Sequence, residues 1–138
     1  MRSDFSFFHT IRVRHNEVDG QGIVYNSNYL MYMDTALDEM IRISNCTADT
    51  LHAANFDICH VKTTIEYLSS AFCCDEIEVG VKTVAVGNKS FTLLSEIFRK
   101  GEDNVLVRAE MIFSGYSVAQ RKGLPIPDFF REILNRWK

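Results

Sequence analysis

Between residues 27 and 44 the apolar side chains return at three- and four-residue steps, as Leu30, Met33, Leu37, Met40 and Ile41. Asp34, Asp38, Glu39 and Arg42 fall on the other side. This is the one long helical pattern in the chain, and it predicts a helix with an apolar face that ends near Ser44 and Asn45. Asn26, Ser27 and Asn28 stand at its start as candidate caps, because short polar side chains accept from the unpaired N–H groups of a first turn. Nearly everything else reads as strand. Phe5, Phe7, His9, Ile11 and Val13 alternate as in a half-buried strand over residues 5–13. After a connecting segment at 47–56 with one helical turn, residues 58–68, 77–86, 90–99 and 105–118 are rich in β-branched and aromatic residues. These four strands read as a run of hairpins, with short breaks at Gly87-Asn88-Lys89 and Gly101-Glu102-Asp103-Asn104. A loop at 120–127 then leads, through Pro127-Asp128, to a terminal helix striped by Phe129, Phe130, Ile133, Leu134 and Trp137.

A lone helix cannot bury its own apolar face, so this order predicts an α+β fold in which an antiparallel sheet packs on the long helix. Tyr29, Met31, Tyr32 and Ala36 lie off the main stripe, and a sheet curved around the helix accounts for them. The 138 residues make one domain, 1–138, large enough for a proper core. Several strands, above all the last, are apolar on both faces, which predicts that a partner subunit covers a second face or edge.

The composition narrows the function. A net charge of −3 gives no general attraction to nucleic acid or an anionic membrane. No apolar run approaches the ~20 residues a membrane-spanning helix needs, and residues 1–15 lack a secretory pattern, so the expected location is the cytoplasm. Cys46, Cys59, Cys73 and Cys74 are therefore expected to be reduced. They contain no C-x-x-C, and Cys59-His60 lacks the second ligand pair of a zinc site, so the cysteines and His9, His15, His52 and His60 read as packing or surface residues.

The break between the first strand and the helix is the distinctive stretch. It reads Glu17-Val18-Asp19-Gly20-Gln21-Gly22-Ile23-Val24-Tyr25-Asn26-Ser27-Asn28-Tyr29. With its acid, its Gly-Ile-Val-aromatic run and its Tyr leading into the helix, it resembles the hotdog-fold acyl-CoA thioesterases of the 4-hydroxybenzoyl-CoA thioesterase-like family. The resemblance continues through Tyr67-Leu68, Asp75-Glu76-Ile77, the turn from Gly87 to Phe91 and Pro125-Ile126-Pro127, so it covers almost the whole chain. It implies a curved antiparallel sheet wrapped around one central helix. It also implies assembly as a homodimer, or a dimer of dimers (a homotetramer), with active sites at the subunit interface.

Thioester hydrolysis needs a carboxylate to act on the carbonyl or on a water, and a positive field where the oxyanion develops. By the resemblance, Asp19 is the catalytic carboxylate and the backbone N–H of Asn26, at the positive end of the helix, polarises the carbonyl. Relatives often carry His or Tyr at the position of Asn26, which leaves the backbone role intact. Lys89 and Ser90 match the place where family members contact the nucleotide end of coenzyme A, and Arg121 and Lys122 add charge suited to its phosphates. Tyr25, Tyr29, Met33, His60 and Tyr67 are candidates to line the acyl pocket. A second subgroup places its acid on the central helix, which nominates Asp34, Asp38 or Glu39 in second rank. The expected reaction is hydrolysis of acyl-CoA with no metal or redox cofactor, coenzyme A being part of the substrate. The rivals are an acyl-carrier-protein thioesterase and a hotdog domain that binds acyl-CoA without turning it over.

Overall fold

A computed structural model describes residues 1–138. In chain order the elements are β1 (Phe8–Arg12), α1 (Asn28–Ile43), α2 (Ala48–Ala53), β2 (Asp57–Tyr67), β3 (Glu76–Val86), β4 (Ser90–Arg99), β5 (Val105–Ser117), β6 (Lys122–Gly123) and α3 (Asp128–Arg136). Single 3-10 turns at Arg2–Asp4 and His15–Glu17 flank β1. The strands form one antiparallel sheet in the order β1-β3-β4-β5-β2, with β6 added to β5.

The sheet curls around α1. From its inner face Ile77, Val79 and Val81 of β3, Phe91, Leu93 and Ile97 of β4, and Val107, Ala109, Met111 and Phe113 of β5 are all buried in the main core. The helix meets them with Tyr29, Tyr32, Met33, Ala36, Leu37, Met40 and Ile41. Burying a large apolar side chain contributes about 1.5–3 kcal/mol, so this contact dominates the fold. The broad apolar face, Tyr29, Tyr32 and Ala36 included, follows from being wrapped; Met31 alone of the off-stripe residues stays exposed. Helix α3 closes one end with Phe130, Ile133 and Leu134, its Phe130 ring 5.2 Å from that of Phe56 and 5.8 Å from that of Phe91.

Two expectations are corrected. The run of four hairpins does not form, because only β3, β4 and β5 follow one another as sequence neighbours. Strand β2 crosses to the opposite edge, pairing Asp57 with Tyr116 through Tyr67 with Val107, so the 68–75 link spans the end of the barrel-like curl. The predicted strand at 5–13 shortens to Phe8–Arg12, although Phe5, Phe7 and Val13 are buried as their alternation implied. Phe5 leaves the ladder because its ring folds onto the outer face of the sheet, over Gly80 and 6.1 Å from Phe98. A Cβ at Gly80 would lie 2.8 Å from that ring, so the residue is glycine for reasons of space.

Gly115 in β5 is tighter still. A side chain there would strike the Leu124 carbonyl and come within 2.8 Å of the Phe56 ring. Gly115→Ala is expected to cost about 1–3 kcal/mol of stability, read as a lower urea midpoint at unchanged m-value, since neither a backbone carbonyl nor a core ring can yield cheaply.

Candidate active site

The stretch from Glu17 to Tyr29 folds as a miniature hairpin clamped to the helix start. Val18 and Val24 form an isolated antiparallel bridge. The Asp19 N–H donates to the Ile23 carbonyl at 2.8 Å, the Gly22 N–H to the Asp19 carbonyl at 3.0 Å, and the Tyr25 N–H to the Glu17 carbonyl at 3.0 Å. Gly22 holds φ +78°, a left-handed conformation that glycine adopts without steric cost. The carboxylate of Asp19 is oriented within this loop, because its Oδ1 accepts the Gln21 N–H at 2.7 Å, leaving Oδ2 without a protein donor.

The helix start is prepared differently from the expectation. None of the three candidate caps closes the first turn: Ser27 is the N-cap residue by position and makes no side-chain capping bond. Asn28 turns the other way and donates from Nδ2 to the Glu17 carbonyl at 2.8 Å. The neighbouring amides of Tyr25 and Asn28 are used, by the carbonyls of Glu17 and Tyr25, while those of Asn26 and Ser27 donate to no protein group. Free N–H groups at the positive end of a sixteen-residue helix are what an oxyanion requires. Asp19 and Asn26 thus sit on one hairpin, the acid at its turn and the amide where it enters the helix.

Residues beyond the motif hold this hairpin in place. The Val24 N–H donates to the Ala71 carbonyl at 3.0 Å, and Ile23 bridges to Phe72. The Tyr29 hydroxyl, buried in the core, accepts the Ala71 N–H at 3.0 Å. The ring of Tyr67, at the end of β2, packs at a tilt 5.9 Å from that of Tyr29 and aims its hydroxyl at the Asn26 carbonyl, 3.4 Å away. Ala71 and Phe72 carried no signal a sequence reading could use, since their contributions are backbone groups brought together across the fold.

The other nominated residues separate. Tyr25 is exposed beside the loop, whereas Met33 is wholly enclosed in the core. His60 lies on β2 with its ring 4.3 Å from that of Phe113 and its Nε2 3.2 Å from Asp34 Oδ1. Lys89 and Ser90 form the β3–β4 turn, where the Lys89 carbonyl accepts the Gly115 N–H, and Arg121 sits in the exposed β5–β6 turn at φ +51°. Within one chain these turns are far from Asp19. Ser90 pairs with Ser114, which pairs with Cys59, and Cys59 lies eight residues along β2 from Tyr67, about 26 Å at ~3.3 Å per residue. Clefts of about 610 and 670 Å³ occur beside α2 and between β1 and α1, and neither is lined by Asp19 or Asn26. Around the loop Tyr25, Met31, Tyr67, Leu68 and Phe72 are instead 47–55% exposed, an unusual density of uncovered apolar groups.

The profile of the thioesterase-like superfamily matches residues 13–134, nearly the full length. The chain belongs to that superfamily. The acyl-CoA thioester hydrolase YbgC of Escherichia coli is 26% identical over 102 residues, 74% of this chain and 75% of YbgC. A hypothetical protein of Aquifex aeolicus superposes with a TM-score of 0.85 at 25% identity, covering 93% of this chain and 98% of its own. A 1,4-dihydroxy-2-naphthoyl-CoA thioesterase from Synechocystis does so with a TM-score of 0.84 at 20% identity, over 94% and 95% of the two chains. The fold of this superfamily member is the hotdog fold, and the junction that carries Asp19 and Asn26 falls inside the matched residues.

The second-ranked acids on α1 have their own electrostatics. Burial, then the charges of Asp34, Asp57 and Glu39, push the Asp38 carboxyl above the usual aspartate range. A carboxyl whose folded-state pKa is raised loses stability as pH climbs from its unfolded value through the folded one. Asp38→Asn is therefore expected to raise the urea midpoint at pH 7, with the gain fading as pH falls toward about 4, the ordinary aspartate range.

Proposed function

We propose that the protein is an acyl-CoA thioesterase, releasing a free acid and coenzyme A. The observation that carries the reading is the pair of free amides at Asn26 and Ser27, at an uncapped helix start, on the hairpin that orients Asp19. The thioester carbonyl oxygen docks on those amides, and the free Oδ2 of Asp19 either attacks the carbonyl carbon or takes a proton from the water that does. As the tetrahedral intermediate forms, negative charge grows on the oxygen where the amides and the helix dipole already point, so little reorganisation is needed. Collapse of the intermediate expels the thiolate of coenzyme A. Carboxylate and amide suffice for this chemistry, so no metal or redox cofactor is required. The four free cysteines suit a reducing compartment, which supports a cytoplasmic enzyme.

The working unit we infer is a dimer formed along the outer edge of β2, with a dimer of dimers as its further assembly. That edge is unpaired in the single chain, and the uncovered apolar side chains of Tyr67 and Leu68 lie at its end. Antiparallel pairing of two copies about Thr64 sets Lys62 of each against Glu66 of the other, a self-complementary charge pattern. The same two-fold brings the level of Cys59, and so of Ser90 and Lys89, next to Tyr67 of the other copy. The lateral offset is then three strands, about 14 Å at ~4.8 Å per strand, within the reach of an extended coenzyme A. This placement gives Lys89, Ser90 and Arg121 a nucleotide-binding role across the interface, with Tyr25 and Tyr29 on the acyl side.

Free-thiol release over a panel of acyl-CoAs tests the activity. Wild type is expected to turn over, and Asp19→Ala to lose about 10²–10⁴-fold in kcat, the usual contribution of a positioned acid or base. Undiminished turnover in Asp19→Ala would sink the site, and tight acyl-CoA binding without release would favour a non-catalytic binding domain. For the assembly, Lys62→Glu is expected to shift sedimentation toward monomer and to lower turnover in parallel. The double swap Lys62→Glu with Glu66→Lys should restore both.

A further inference from the structure

One cluster of reactive side chains lies outside the proposed chemistry. The turn between β2 and β3 carries Cys73 and Cys74, whose Sγ atoms are 3.5 Å apart, and His15 Nδ1 stands 3.7 Å from the Cys73 sulfur. Cys74 is exposed and Cys73 half-buried, so both sulfurs can be reached from solvent. The turn is firmly built. The Cys74 N–H donates to the Val13 carbonyl at 3.0 Å, the Cys74 carbonyl accepts Arg12 Nη1 at 2.8 Å, and Asp75 Oδ2 accepts the Phe72 N–H at 2.9 Å. Cys74 is held at φ +70°, a left-handed conformation uncommon for a residue with a side chain. That conformation places the two sulfurs side by side instead of on opposite faces of an extended chain.

Two thiols so placed suggest either a disulfide or a chelate, and the geometry separates them. A disulfide usually spans Cα atoms about 4.4–6.8 Å apart, whereas adjacent residues joined by a trans peptide are held at about 3.8 Å. A ring closed there is strained and readily reduced. A chelated soft centre, by contrast, sits at roughly 2.3 Å from each sulfur, as zinc does, which keeps the two sulfurs about 3.5–4 Å apart, as they already are. No group of three or more His, Cys, Asp and Glu side chains is arranged to hold a metal ion, so a centre that needs four protein donors has no home here.

We propose that Cys73 and Cys74 form a dithiol site for trivalent organoarsenicals, thiophilic centres that already carry one carbon substituent and need only two more donors. Capture is a condensation. Each thiol gives up its proton, two As–S bonds form, the As=O bond is lost, and the oxygen leaves with both protons as one water. No oxidation state changes. His15 stands where it can take the proton from Cys73 and pass it to the departing oxygen. The site is linked to the catalytic hairpin, because Ala71 and Phe72 on the same turn hold Val24 and Ile23. Capture is therefore expected to slow hydrolysis as well, a consequence that rests on the thioesterase reading while the capture itself does not.

Phenylarsine oxide is the probe, with adduct mass and titratable thiols as readouts that need no enzymatic activity. Wild type is expected to take up one equivalent with loss of two thiols and one water. Release should follow addition of a small dithiol and not an equal concentration of a monothiol. Cys73→Ser and Cys74→Ser should each abolish dithiol-reversible uptake, while Cys59→Ser keeps it, and His15→Ala should keep the stoichiometry and slow the rate. Uptake that survives in Cys74→Ser, or its absence from wild type while Cys73 and Cys74 both remain titratable, would overturn the site. Uptake without slower hydrolysis would overturn the link to the hairpin alone.

Discussion

The constraint on which the structure depends is that one broad face of a sixteen-residue helix must be buried by a single sheet. Seven of its side chains enter the core, and no second helix of similar length shares the task. The sheet must therefore curl, and strand order follows from the curl. A strand placed after the helix has to reach the edge opposite β1, which is where β2 runs, leaving the hairpins of β3, β4 and β5 to fill the middle. Burial also explains why glycine sits at Gly80 and Gly115, where a ring or a backbone carbonyl presses directly on the sheet.

Wrapping fixes the helix as a rigid body and so fixes its first turn. Most helices satisfy their leading amides with a Ser, Asp or Asn side chain at the cap. Here Ser27 stands at the cap and makes no side-chain bond, Asn28 braces the Glu17 carbonyl, and the amides of Asn26 and Ser27 remain free. The interaction given up at the cap is worth about 1 kcal/mol. A well-placed oxyanion donor contributes about 3–4 kcal/mol to a transition state, so the free amides just before the helix suit the proposed reaction. The hairpin before the helix depends in turn on Ala71, which uses its carbonyl on Val24 and its N–H on Tyr29.

Much of this was legible in the residues, and what was not has a common cause. Periodicity placed α1 and α3 within a residue or two of their observed bounds, because each has one buried face and one exposed, and the turns on either side of residues 90–99 bounded β4. The same logic marked Phe5, Phe7 and Val13 as buried but could not tell that Phe5 leaves the ladder, since a ring over Gly80 and a ring in a pleat bury equally well. The crossing of β2 was missed because strand neighbours are settled by the helix beneath them and not by loop length. At the site, Asp19 and Asn26 were visible through a local pattern of residue types. The supports at Ala71 and Phe72 act through backbone atoms whose chemistry is the same in every residue, so their identities carry no trace of the role.

The pairing of β1 with β3 bears on how the chain comes to be folded. Arg12 lies opposite Glu76 and Phe8 opposite Gly80, so every bond of the first strand waits for a partner more than sixty residues downstream. Until then β1 and the helix that follows it have no sheet to close on. Because long loops must be closed before such contacts repay their entropy, folding of this topology is slow relative to a helical bundle of equal size. Until β3 is in place, the Phe-rich segment from Phe5 to Phe8 has no strand to pair with, and the apolar surface it exposes favours association with other unfolded chains.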